Sequence, residues 1–162
     1  MPSQVMGNAT PLLLCRQGTA GLYLRFLPGP LACWSAAMTD SLSGHLILVV
    51  EDEPLVAIDI ADAFTDAGAQ VLTALTLEDA MKLVETHGLT AAVIDHALRD
   101  GLTTSDVCER LNELSVPFVV YSGFGEITGA CAAGELVQKP ASPGMLLSSL
   151  TAALSRQSKG LH

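Results

Sequence analysis

From residue 45 onward, short apolar runs alternate with segments of helical periodicity, and this alternation constrains the fold more than any other feature. Residues 46–50 form a run of aliphatic and β-branched side chains that is typical of a strand buried on both faces. Four similar runs follow at residues 70–74, 91–94, 117–121 and 136–138. Strands that alternate with helices predict an α/β fold, in which a parallel sheet is covered by helices on both faces.

Local signals mark where the predicted helices begin and end. Pro54 stands where the first turn of a helix tolerates proline. Thr76 and Asp79 have the spacing of a capping box at the start of the next helix. Gly68 and Gly88 follow these two helical patterns and predict their carboxyl-terminal ends.

Composition limits the classes of protein to which the chain can belong. Its 162 residues suffice for one domain with a core, and 49% hydrophobic against 15% charged residues excludes a disordered chain. A net charge of −9 argues against nucleic acid as a partner. No apolar run approaches the roughly 18 residues of a membrane span, which argues against a membrane protein.

The cysteines suggest a cytoplasmic protein. The four of them are widely scattered, and none belongs to a Cys-x-x-Cys pair. This spacing predicts reduced thiols in a cytosol rather than a disulfide framework. Cys108 and Cys131 fall in apolar patterns and are expected to act as small core residues.

Polar side chains follow four of the predicted strands at the point where each strand ends. Glu51 and Asp52 follow the first strand, Asp95 the third, Ser122 the fourth and Lys139 the fifth. Because the carboxyl ends of parallel strands share one edge of the sheet, these side chains are expected to lie close together.

The residue types at this edge suit phosphoryl transfer to a carboxylate. An acidic turn after the first strand repels a bare phosphate and attracts a cation, and all-oxygen ligation favours Mg²⁺. Asp95 could accept a phosphoryl group if the negative charge of that group is neutralised, partly by the metal and partly by Lys139. The Ser122 hydroxyl could donate a hydrogen bond to a phosphoryl oxygen. The Lys139–Pro140 bond is a candidate cis peptide.

This set of residues resembles that of the receiver domains of bacterial two-component response regulators, over about residues 45–155. The resemblance implies a flavodoxin-like, doubly wound sheet of five parallel strands in the order 2-1-3-4-5. It also implies a role for each matching position: Asp95 as phosphoacceptor, Asp52 as direct Mg²⁺ ligand, Glu51 as its acidic neighbour, the Ala97 carbonyl as a further metal ligand, Ser122 as the switching hydroxyl and Lys139 as the phosphate-binding lysine.

The resemblance further implies the partners and the mode of action. Family members take a phosphoryl group from a histidine kinase or a histidine phosphotransfer protein, and they catalyse only their own phosphorylation and dephosphorylation. Only eight residues follow Leu154, too few for an output domain, so the signal is expected to pass to an unknown downstream protein by contact or phosphorelay. Homodimerisation stays open.

The chain departs from the family pattern between Ser122 and Lys139. This separation of 17 residues is short and rich in glycine, which predicts a short or irregular helix between the fourth and fifth strands. Leu136 stands where the family usually has an aromatic switch residue. The run Ser122-Gly123-Phe124 resembles that of a receiver subgroup with Ser/Thr-Gly-aromatic after the fourth strand. Members of that subgroup work with an atypical class of histidine kinases.

Two other functions remain open from the residues alone. The chain could be an interaction module that keeps the fold without being phosphorylated. It could also be a Mg²⁺-dependent phosphohydrolase that uses Asp95 as nucleophile, although such enzymes usually have a second acid where this chain has Ala97.

Residues 1–44 differ in character from the rest of the chain. They carry a net charge of +1, against −10 for residues 45–162. Three interpretations stay open: a disordered extension, an amphipathic docking arm, or translated sequence upstream of a true start at Met38. Residues 156–162 are expected to be a tail.

Overall fold

Five short strands and four α-helices make up the part of the chain that the computed structural model describes, namely residues 41–98, 104–123 and 125–159. The strands are β1 (Leu46–Val50), β2 (Gln70–Ala74), β3 (Ala91–Asp95), β4 (Phe118–Ser122) and β5 (Glu135–Gln138). They form one parallel sheet in the order β2-β1-β3-β4-β5. The predicted fold class and strand order are confirmed.

The helices begin and end close to the signals that the sequence carries. Their bounds are α1 (Pro54–Asp66), α2 (Leu77–Thr86), α3 (Ser105–Glu113) and α4 (Pro143–Lys159). Pro54 is in the first turn of α1, and Gly68 lies just beyond its end with φ of 93°. The Thr76 hydroxyl accepts a hydrogen bond from the Asp79 amide at 3.1 Å and donates to the Asp79 carboxylate at 2.9 Å, which confirms the predicted cap of α2.

The sheet separates two apolar clusters, one on each face. Successive strand residues point to opposite faces, so Val49, Val93 and Val119 face α1 and α4, whereas Leu48, Ile94 and Val120 face α2 and α3. Burial of a side chain such as Phe64, which is 0% exposed, contributes about 1.5–3 kcal/mol to the free energy of unfolding. Both faces of the central strands are therefore fixed by packing.

Among the described residues that connect β4 and β5, the one helical segment is a short 3-10 helix, Gly129–Ala133. This agrees with the predicted short helix. Gly134 comes directly after this helix and packs closely against β4. A Cβ atom at Gly134 would lie 2.4 Å from a ring carbon of Phe118. Phe124, which carried the subgroup prediction, lies outside the described residues.

Cys108 of α3 and Cys131 of the 3-10 helix form a disulfide bond across 23 residues. The prediction of reduced thiols is wrong for this pair, because the packing of the 3-10 helix on α3 brings the two Cα atoms to 5.0 Å, within bridging range. Both residues are buried in the apolar cluster, as predicted. Cys15 and Cys33 lie outside the described residues.

The ordered fold extends past both of the boundaries that the sequence suggested. Leu42 is fully buried against the α1–α4 face, and its amide donates to the Ala67 carbonyl at 3.0 Å. At the other end, α4 continues through Lys159. The predictions for residues 1–40 and 160–162 concern positions outside the described part. Within the described ranges, no helix combines the length and apolar character needed to cross a membrane.

Candidate functional site

Three carboxylates meet at the carboxyl edge of the sheet. Glu51 directly follows β1, and its amide donates to the Ala74 carbonyl at 3.1 Å, which ties the acidic turn to the end of β2. Asp95 is the last residue of β3. One oxygen each of Glu51, Asp52 and Asp95 lies within 4.8 Å of the others, and Glu51 and Asp95 are buried. The predicted convergence of acids is thus present in the structure.

Lys139 reaches this cluster from the end of β5. Its amide donates to the Ser122 carbonyl at 2.7 Å, and the Lys139–Pro140 peptide bond is cis, as predicted. The Lys139 Nζ atom lies 2.7 Å from Asp95 Oδ2 and 3.4 Å from Glu51 Oε2. One ammonium group therefore contacts two buried carboxylates.

Burial and charge set the electrostatics of the site. Burial raises the pKa of Glu51, and the charge of Asp95 raises it further, whereas Lys139 partly opposes both. Burial lowers the pKa of Lys139, but the hydrogen bond and charge of Asp95, together with Glu51, leave it raised above its ordinary value. Three acids against one ammonium leave an excess of negative charge that a divalent cation would neutralise.

The donor set fits a hard cation such as Mg²⁺. Every clustered group offers carboxylate oxygen, and the cluster that the described residues form contains neither histidine nor cysteine. The Ala97 amide donates to Asp95 Oδ1 at 3.2 Å, which orients the other oxygen of Asp95 toward Lys139. The role of the Ala97 carbonyl as a metal ligand stays a prediction.

Ser122 ends β4 and is 1% exposed. It lies one residue beyond Tyr121, which is the register partner of Asp95 on the neighbouring strand. The structure therefore brings the predicted hydroxyl residue to the same edge of the sheet, next to the strand that carries Asp95. Its switching role stays a prediction.

No family model matches the sequence, and no curated protein matches it. Solved structures do match. The response regulator PhyR from Brucella abortus superposes with a TM-score of 0.64 at 25% identity, over 75% of this chain and 53% of that one. A CheY-like response regulator receiver domain protein from Methanospirillum hungatei JF-1 gives 0.64 at 21% identity, over 74% and 98%. The Francisella response regulator 1452 receiver domain gives 0.61 at 21%, over 70% and 98%.

The chain has the fold of a response regulator receiver domain. It covers about half the length of PhyR, 53% of the Brucella protein, but nearly all of the two receiver domains. The similarity to those two domains lies in the fold, because the sequence identity is 21% in both.

The receiver fold of this chain carries one aromatic residue at the site that the sequence analysis did not single out. The ring centroid of Tyr121 lies 4.6 Å from Lys139 Nζ. Its position in the sequence could have indicated this contact, because Tyr121 directly precedes Ser122 near the end of β4. Leu136, at the position where receivers usually have an aromatic residue, is 38% exposed.

Proposed function

We propose that this chain is a phosphoacceptor response regulator that receives a phosphoryl group on Asp95. The observation that carries the proposal is the contact of Lys139 Nζ with Asp95 Oδ2 and Glu51 Oε2 inside a cluster of three carboxylates. A lysine held there has its charge where the oxygens of an incoming phosphoryl group would arrive.

The proposed donor is a phosphohistidine of a histidine kinase or a histidine phosphotransfer protein. An oxygen of Asp95 attacks the phosphorus, and the bond between phosphorus and the donor imidazole nitrogen breaks. The electron pair of that bond stays on the nitrogen, which takes up a proton, and an acyl phosphate forms on Asp95. Lys139 and the Ser122 hydroxyl are proposed to bind phosphoryl oxygens as the charge on them develops.

Glu51, Asp52 and Asp95 would hold the divalent cation, with the Ala97 carbonyl as a further ligand. When bound, Mg²⁺ would supply positive charge to neutralise the phosphoryl oxygens. Without that charge, the same three acids repel the incoming group, so we expect phosphorylation to depend on the metal.

Exposed apolar side chains on the two helices that begin near the site support a protein as the phosphodonor. Leu55 and Ile58 of α1 are 81% and 55% exposed, and Met145 of α4 is 57% exposed. Both helices begin a few residues after the functional edge, at Pro54 and Pro143. We propose that a kinase or phosphotransfer domain docks on these side chains. We also propose that the protein works in the cytoplasm.

The test is the intact mass of the protein after incubation with acetyl phosphate and Mg²⁺. We expect a gain of one phosphoryl group that is lost in Asp95→Asn and on metal chelation. Asp59→Asn, which removes an equal charge from the exposed side of α1, is the matched control and should retain the gain. No gain in the wild-type protein would refute the proposal and favour the unphosphorylated interaction module. Continuous release of phosphate from added esters would favour the phosphohydrolase.

A further inference from the structure

Tyr121 contacts the Lys139 segment in two places. Its ring lies under the Lys139 ammonium, with 4.6 Å between the ring centroid and Nζ. Its hydroxyl accepts a hydrogen bond from the Ala141 amide at 3.4 Å and donates to the Ala141 carbonyl at 3.2 Å. The side chain of Tyr121 is buried, so the surrounding packing limits the positions that the ring can adopt.

The register of the sheet explains why the ring reaches the functional site. Tyr121 is the register partner of Asp95 in the β3–β4 pair and of Val137 in the β4–β5 pair. Side chains of register partners share a face of a parallel sheet, and Tyr121 packs in the cluster that faces α1 and α4. Its ring therefore lies between the strand that carries Asp95 and the strand that leads to Lys139.

Lys139 needs such support more than the carboxylates do. It follows an edge strand of four residues, and its side chain is 31% exposed, against 5% for Asp95. A lysine side chain on such a strand has many rotamers, only some of which keep Nζ beside Asp95. The face of an aromatic ring attracts an ammonium group without demanding one hydrogen-bond direction. The ammonium group can therefore shift from a carboxylate to a phosphoryl oxygen while it stays over the ring.

We propose that Tyr121 is a positioning residue for Lys139, whose aromatic ring keeps the ammonium group beside Asp95 during phosphoryl transfer. This inference rests on the proposed function of Asp95 as phosphoacceptor. Tyr121 acts through Lys139 and makes no contact with the phosphoryl group in the proposal. Packing in the buried cluster holds the ring in place, and the hydroxyl bonds to the backbone of Ala141 add to it.

The test compares the rate of phosphorylation by acetyl phosphate with Mg²⁺ in three variants. Tyr121→Leu removes the ring and is expected to slow the reaction about five-fold, which corresponds to about 1 kcal/mol. Tyr121→Phe keeps the ring and is expected to restore the rate to within about two-fold of wild type. Val119→Ala, which alters the same strand and face two residues earlier, is the control for general loosening of the core and should also retain the rate.

A second measurement reports the contact itself. The Lys139 side-chain protons should resonate upfield through the ring current of Tyr121 in the wild-type protein and in Tyr121→Phe, but not in Tyr121→Leu. If Tyr121→Leu does not fold, Tyr121→Met replaces it. A Leu variant that reacts at the wild-type rate, a Phe variant as slow as Leu, or Lys139 shifts that do not depend on the ring would overturn the inference. If the wild-type protein is not phosphorylated, the proposed function fails, and the Lys139 shifts still decide whether the ring holds the lysine.

Discussion

The carboxylates and the lysine reach the same site from parts of the sheet that are built differently. Glu51 and Asp95 extend from β1 and β3, which have a neighbouring strand on each side. Every residue of β3 is buried, and so are four of the five residues of β1. Lys139 follows β5, an edge strand of four residues in which Val137 alone is buried.

This difference indicates that the core fixes the position of the phosphoacceptor Asp95, whereas the position of the Lys139 ammonium group can adjust. The backbone at Glu51 and Asp95 cannot shift without disturbing the core on both faces of the sheet. The β4–β5 segment, residues 123–139, has less core packing to hold it, and its described part is tied down by particular contacts instead. These are the disulfide from Cys131 to Cys108, the close approach of Gly134 to Phe118, and the ring of Tyr121 beneath Lys139.

The largest effect is expected from removing the Lys139 ammonium group. Lys139→Met takes the ammonium group away from the buried carboxylates of Asp95 and Glu51, and we expect the rate of phosphorylation by acetyl phosphate to fall at least about 100-fold. The initial rate of mass gain measures it. Lys82→Met, on an exposed position of α2, is the charge-matched control and should react like wild type. Equal rates in the two variants would mean that Lys139 has no part in the chemistry.

Opening the disulfide should loosen the β4–β5 segment. The Cys108–Cys131 bond closes a loop of 23 residues, and its loss should lower the free energy of unfolding by about 3 kcal/mol. Urea unfolding with and without reductant measures the effect. The double variant Cys108→Ala/Cys131→Ala should be unaffected by reductant. A wild-type protein that unfolds identically in both conditions would show that the segment does not depend on this bond.

A single methyl group should disturb the same segment. Gly134→Ala would place a Cβ atom 2.4 Å from the Phe118 ring, so β5 or the ring must move, at a cost of about 1–3 kcal/mol in the free energy of unfolding. Gly88→Ala is the matched control, since its Cβ would meet nothing within 4 Å. Urea unfolding of both variants decides the point, and equal midpoints would argue that the close approach does not constrain the segment.

The smallest effect is expected at a helix cap away from the β4–β5 segment. Thr76→Ala removes the bond to the Asp79 amide and should lower the free energy of unfolding by about 1 kcal/mol without changing phosphorylation. Thr128→Ala, at the start of the 3-10 helix, is the control because that threonine makes no side-chain cap bond. A change in the phosphorylation rate of Thr76→Ala would show that the stability of the α2 cap affects the site.

The sequence predicted most of the regular part of the molecule. The bounds of β1 and β2, the Thr76 cap and the meeting of Glu51, Asp52 and Asp95 follow from apolar runs, local capping signals and the common edge of a parallel sheet. These features depend on neighbours in sequence or on topology, and both can be read from one chain.

The remaining features depend on how distant segments pack. Cys108 and Cys131 are 23 residues apart and belong to no spacing motif, so their pairing requires the observed contact of the 3-10 helix with α3. The contact of Tyr121 with Lys139 depends on the rotamer of a lysine beyond an edge strand. Leu42 is buried against the end of α1, and the short polar segment around Leu42 does not predict this burial.

Mapping the acyl phosphate to a residue tests whether Asp95 accepts the phosphoryl group. After incubation with acetyl phosphate and Mg²⁺, borohydride reduces an aspartyl phosphate to homoserine and releases phosphate. Peptide mass spectrometry then locates the converted residue. We expect homoserine at position 95 alone, and none after metal chelation. Conversion at another acidic residue, or at none, would contradict the proposed role of Asp95.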